Sequence, residues 1–252
     1  MIHKTFSVDG LPDLDVRVEA GRLEVHETDS GRVDITVDTR LPGFIVEQRG
    51  NTILVSSDTN AGWLSRGSAY VVIETPPGSD LRASVASAPV TADVDLGKVE
   101  VKSASGDIDI RQAETLVVKT ASGDLHVDTV KRALRVTSAS GDVRVVSRLD
   151  GSAVVSTASG DIEIEKSDAT IEMNTASGDA SIRNYTGRSA NFKAMSGSID
   201  LGIPSGSRIE LDVSTLSGKV RLPDPEPSQG TPTRNMSIRA KLVSGDFTIE
   251  RV

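Results

Sequence analysis

Through most of this chain apolar and polar residues alternate one by one in short runs, and the runs themselves repeat. After a recurring Ser-Gly-Asp tripeptide the order is apolar, polar, apolar: Ile108/Ile110, Leu125/Val127, Val143/Val145, Ile162/Ile164, Ala180/Ile182, Ile199/Leu201, Val220/Leu222 and Phe247/Ile249. Seven and five residues before each glycine the side chains are again small or apolar, from Val99/Val101 through Ile171/Met173 to Ile238/Ala240. Alternation with period two marks a strand with one buried face. Each repeat therefore predicts two short strands meeting at the glycine.

The tripeptide stands at Ser105-Gly106-Asp107, Ser122-Gly123-Asp124, Ser140-Gly141-Asp142, Ser159-Gly160-Asp161, Ser177-Gly178-Asp179 and Ser244-Gly245-Asp246. Variants occur at Ser196-Gly197-Ser198 and Ser217-Gly218-Lys219. Successive glycines are 17, 18, 19, 18, 19, 21 and 27 residues apart. The longest interval holds a proline-rich stretch near 223–234, which reads as a loop inserted into a regular rung. β-Branched residues and glycine, with no three-to-four spacing, exclude helices. Antiparallel hairpins would not explain why equivalent positions carry like residues at a fixed interval. Parallel stacking of each repeat on the last does, because like side chains then form columns about 4.8 Å apart. The expected fold is all-β, a single-stranded parallel β-helix or β-solenoid with about 18–19 residues per rung. Residues 1–80 follow a looser pattern, as in Gly21-Arg22-Leu23-Glu24-Val25, and read as irregular N-terminal rungs and a cap of the same solenoid. Residues 81–252 are its regular part.

Repeated Thr-Ala-Ser-Gly-Asp with alternating flanks, as at 120–124, 157–161 and 175–179, resembles the bacterial "putative adhesin" family of β-strand-repeat proteins. The Gly-Arg-Leu-Glu-Val strand and the Thr75-Pro76-Pro77-Gly78-Ser79 element extend the resemblance over nearly the whole chain. It implies a right-handed parallel β-helix, in a family whose function is largely undefined and some of whose members accompany envelope-stress signalling systems.

Composition narrows the function classes. Aromatic residues are 3% of the 252, which suits a thin core of stacked aliphatic side chains. A net charge of −8 argues against nucleic acid, since phosphate binding needs a basic stripe, and against anionic membrane surfaces. It also keeps a repetitive β protein soluble. With no cysteine there is no disulfide, thiolate metal site or thiol nucleophile. The start, Met1-Ile2-His3-Lys4-Thr5-Phe6, lacks the apolar stretch of a signal peptide, and no run reaches the length of a membrane span, so a cytoplasmic location is expected.

Candidate chemistry reduces to the columns. Glycine serves corners that need φ > 0. The serine before it shares the parity of the inward positions, and three residues before the glycine the side chain is mostly Ser or Thr, suited to bonding backbone within a narrow corner. Asp107, Asp124, Asp142, Asp161 and Asp179 would form a line of like charges, held by bonds to the turn backbone or neutralised by cations or a ligand. Two residues before the glycine stand Ala104, Ala121, Ala139, Ala158, Ala176, Met195, Leu216 and Val243. The corner is expected to turn these inward; if exposed, they would make a strip for lateral association. Trp63, with Leu64, lies in a loop-like stretch as a cap for the solenoid or an anchor for a partner. The histidines, His3, His26 and His126, match no triad.

No catalytic residue, confident metal site or cofactor is expected. The chain reads as a noncatalytic scaffold that binds another protein or a second copy of itself, with Trp63, Leu64, Met195, Leu216 and Val243 as candidate surface. The alternative is a carbohydrate-active or glycan-binding β-helix, a lyase, hydrolase or adhesin, which would cluster carboxylates and basic residues in one groove.

Overall fold

The computed structural model describes residues 1–41, 43–56, 67–223 and 234–252. Trp63, Leu64 and nearly all of the proline-rich stretch lie outside the described residues. The chain divides into two compact units, residues 1–127 and 128–252. Each is built from strands alone among the described residues, and parallel pairing dominates both.

The first unit holds β1 (Ile2–Ser7), β2 (Asp13–Val18), β3 (Gly21–Glu27), β4 (Arg32–Thr39), β5 (Ile45–Arg49), β6 (Thr52–Ser56), β7 (Ala69–Thr75), β8 (Asp80–Val85), β9 (Val90–Ser103) and β10 (Ile108–Ser122). Long strands such as β9 bend through a corner, so one strand serves two faces: its start pairs with β3 and its end with β8. One face runs β1, β4, β7, β3, β9, β10. The other runs β5, β6, β2, β8, β9, β10. The pairings β1–β4, β4–β7 and β5–β6 are antiparallel.

Strand β11 (Leu125–Ser140) crosses into the second unit. There follow β12 (Val143–Leu149), β13 (Ser152–Ser159), β14 (Ile162–Ser167), β15 (Thr170–Ser177), β16 (Ala180–Tyr185), β17 (Ser189–Ser196) and β18 (Ile199–Ile203). The last are β19 (Ser207–Ser217), β20 (Val220–Arg221), β21 (Arg234–Ser244) and β22 (Phe247–Arg251). Register follows the repeat: Ala153 pairs with Ile171, Ile171 with Ala190, and Ser159 with Ser177 and then Ser196. Outside the rung of β19 and β20 the predicted inward positions are buried, among them Leu134, Val155, Ile171, Phe192, Ile162 and Phe247.

One expectation fails. The repeats do not all stack in chain order, for β21 lies between β17 and β19, and β22 between β18 and β20. The last repeat is thus inserted beneath the one before it. Its inward side chains explain the choice. Met236, Ile238, Leu242, Phe247 and Ile249 are buried, and Phe247 meets Phe192 of the next rung at 6.5 Å between ring centroids, 57° apart. Such a tilted pair contributes about 0.5–1.5 kcal/mol beyond area burial. The displaced rung carries smaller apolar side chains and is left outermost.

Candidate interaction surface

Each corner is made where two exposed residues precede the glycine, and the pleat that buries the strand is broken there. Inward of them the hydroxyl column bonds the corner backbone: Thr120 Oγ1 donates to the Ser122 carbonyl at 3.2 Å, Ser138 Oγ to Ser140 at 3.0 Å and Thr157 Oγ1 to Ser159 at 3.0 Å. The tripeptide serines are exposed, against the inward parity expected of them, because the chain turns at the serine itself and the alternation breaks there.

The aspartates are exposed as well. Each lends a carboxylate oxygen to the backbone N–H of the equivalent residue in the adjacent rung. In the first unit Asp107 Oδ1 accepts from Asp124 N at 3.0 Å. In the second, Asp142 accepts from Asp161 at 2.8 Å, Asp161 from Asp179 at 2.8 Å and Asp179 from Ser198 at 2.7 Å. A hydrogen bond to a charged acceptor is shorter and stronger than a neutral one, which offsets the repulsion along the line. Asp246 continues the device by accepting from Lys219 N at 2.9 Å, and that bond, with Arg221 3.0 Å away, holds its carboxyl below the usual range. Lys219 belongs to the outermost rung, where a carboxylate would have no further amide to accept. Among the described residues no group of three or more His, Asp or Glu is arranged to hold a metal ion.

Two features were missed in the sequence. Asp80 Oδ1 accepts from Lys98 N at 2.7 Å, the same device at another corner. Its signal was the 18-residue spacing of these two positions. On the outer face of β3, Tyr70 donates to Glu24, and Glu24 Oε2 lies 3.7 Å from His26 Nε2, while His26 Nδ1 meets Asp93 at 2.9 Å. The Tyr70 bond lowers the Glu24 pKa, and the Asp93 bond raises that of His26. These are outward side chains of three adjacent strands, a conjunction that only the non-sequential stacking of β7, β3 and β9 creates.

The apolar column two residues before the glycine is exposed, not turned inward, since the strand continues to the serine and keeps its outward parity. From Ala104 to Ala176 it is alanine. Its end is larger: Met195, Val243 and Leu216 are 63%, 48% and 85% exposed. The insertion of β21 puts Val243 between the other two, so they are neighbours in that order on adjacent strands. Beside them Lys193 and Lys241 are directly paired across β17 and β21. Ala158, Ala176, Met195 and Val243 floor a shallow groove with these lysines on its margin.

Residues 12–250 match the family described as Toastrack DUF4097. The chain belongs to the Toastrack family. Its β-solenoid-like fold agrees with the stacked parallel rungs found here. Among solved structures the Toastrack chain is similar to a "putative adhesin" from Bacteroides fragilis, at 16% identity over 99% of this chain and 96% of that one, TM-score 0.41. It is also similar to a "putative adhesin" from Parabacteroides merdae, at 12% identity over 99% and 95%, TM-score 0.42. No curated protein matches it. Among the described residues no helix is long and apolar enough to cross a membrane.

Proposed function

We propose that this Toastrack chain is a noncatalytic interaction scaffold, and that its working surface is the strip formed by Met195, Val243 and Leu216. The observation that carries the reading is their alignment: three large apolar side chains on neighbouring strands, all solvent-exposed. Soluble surfaces rarely gather apolar area in this way unless a partner covers it. Strands present side chains at fixed spacing with little entropy left to lose, so such a face is preorganised for binding. Lys193 and Lys241 along the margin favour a protein partner with acidic residues beside its apolar contacts. In an envelope-stress setting, which the sequence resemblance suggests, the scaffold would hold a signalling protein rather than transform a substrate.

The test is a photo-crosslinking residue at Met195 in the full chain, expressed in its native cells. Crosslinks to one dominant protein, lost on Val243→Glu, are expected. Crosslinking no stronger than from a control site at Asp109, or a glycan-array signal that Val243→Glu abolishes, would overturn it.

A further inference from the structure

We infer that two copies of this chain join through the outer edge of β19, running antiparallel about a two-fold axis; this goes beyond the scaffold reading, whose surface is the Met195 strip. Three observations lead there.

The first is the state of the outermost rung. Within the second unit β19 pairs with β21 and, among the described strands, with no other. Ile209, Leu211 and Val213 are only half-buried, whereas the residues they pair with, Met236, Ile238 and Ala240, are at most 2% exposed. Val220 and Leu222, the inward positions after the glycine, are 43% and 54% exposed. An eleven-residue edge strand with an apolar inward row is a template for pairing unless charge, proline or a covering segment blocks it.

The second is the contrast with the first unit's edge. There the outermost strands β1 and β5 lock each other's carbonyls: Lys4 Nζ donates to Val46 O at 2.7 Å, and Gln48 Nε2 donates to Ser7 O at 2.8 Å. Lysine and other polar side chains are the usual means of closing an edge. Head-to-tail joining would need that edge open. Joining like to like does not, and it closes as a dimer.

The third is charge. Residues 1–127 contain 20 acidic and 12 basic side chains, and residues 128–252 contain 16 of each. The whole net charge of −8 therefore sits in the first unit, so copies repel there and meet without penalty at the second. Strand β19 itself is mixed, with Arg208, Glu210 and Asp212 outward, and Asp212 is already paired with Arg239 at 3.2 Å. Antiparallel pairing of β19 with itself would bring the second copy's Ile, Leu and Val row beside the first and extend the core across the axis.

Sedimentation velocity of the full chain over a range of micromolar concentrations tests the inference, with wild type, Leu211→Lys and Thr170→Lys compared. Wild type should shift to twice the monomer mass as concentration rises. Leu211→Lys should weaken dimerisation at least tenfold, while Thr170→Lys, at an exposed position three strands in from the edge, should leave it unchanged. Hydrogen exchange on wild type gives an independent reading, in which amide protection in 207–217 should rise with the dimer fraction. Wild type that stays monomeric throughout, or dimerisation with unchanged protection in 207–217, would refute the inference. In either case crosslinking from Met195 can still succeed, so failure here is separable from failure of the scaffold reading.

Discussion

Replacing Gly178 by alanine tests the corner stack most directly. Gly178 has φ +131°, a conformation that glycine adopts freely and an L-residue does not. A Cβ there would also lie 2.2 Å from the Gly160 carbonyl oxygen of the rung beneath. That atom is backbone, so no rotamer change can relieve the contact. Holding a non-glycine residue in such a region costs about 1–3 kcal/mol. Forcing an extra carbon into a packed position adds about 1–3 kcal/mol. The total, about 2–6 kcal/mol, corresponds to a fall in melting temperature of about 5–20 °C for a domain of this size.

Gly50 supplies the control. Its φ is +62° and a Cβ there meets nothing within 4 Å, so Gly50→Ala bears only the left-handed penalty of about 1–2 kcal/mol. Thermal melts followed by circular dichroism, with urea midpoints beside them, should rank wild type above Gly50→Ala above Gly178→Ala. If Gly178→Ala melts no lower than Gly50→Ala, the carbonyl contact is not a constraint and the stacked-corner reasoning is wrong.

Other outcomes follow from the same geometry. Phe247→Ala should cost about 3–5 kcal/mol in urea unfolding, because the ring is fully buried against Phe192 in the inserted rung. Asp161→Ala should cost about 1 kcal/mol and speed exchange of the Asp179 amide, with Asp161→Asn recovering part of both through its own acceptor oxygen. Asp246 and His26 should give opposite pH dependences. The Asp246 carboxyl is lowered on folding, so its contribution is full above the unfolded-state pKa and is lost as pH falls through the folded value. The melting gap between wild type and Asp246→Asn should therefore close on acidification. The His26 imidazole is raised on folding, so its contribution is full below the unfolded-state pKa and fades as pH rises through the folded one, which the gap to His26→Gln should track.

Much of the fold could be read in advance because a parallel stack repeats its local environment. Ile108, Val143 and Ile162 each sit one step after a corner and are buried alike, so periodicity in the sequence carried the geometry. Stacking order was not legible in the same way. Period fixes which residues share a column but not which rung lies beside which, and the pairing of Ile238 with Ala190 rather than only Leu211 depends on the chain stepping back past its neighbour. The candidate surface inherits that limit. Met195, Val243 and Leu216 could be named from the alternating pattern as one column, yet their order could not, since Val243 separates residues that precede it in the chain. Parity also misled at the corners, where two successive exposed residues break the alternation that serves the strands.

Both units place a full rung out of order, and the physics of sheet edges gives a reason. In the first unit β2 lies between β6 and β8, and β3 between β7 and β9, so the first full rung is paired on both sides. In the second, the final rung β21–β22 is flanked in the same way. A rung left outermost has one hydrogen-bonded neighbour, and such an edge is the part of a stack most prone to open. Insertion gives the inserted rung two neighbours and leaves another rung at the edge. The first unit then closes its edge with the antiparallel strands β1 and β5, whereas in the second β19 retains an apolar inward row. That asymmetry, more than the repeat itself, distinguishes an edge built to be finished from one suited to receive a partner.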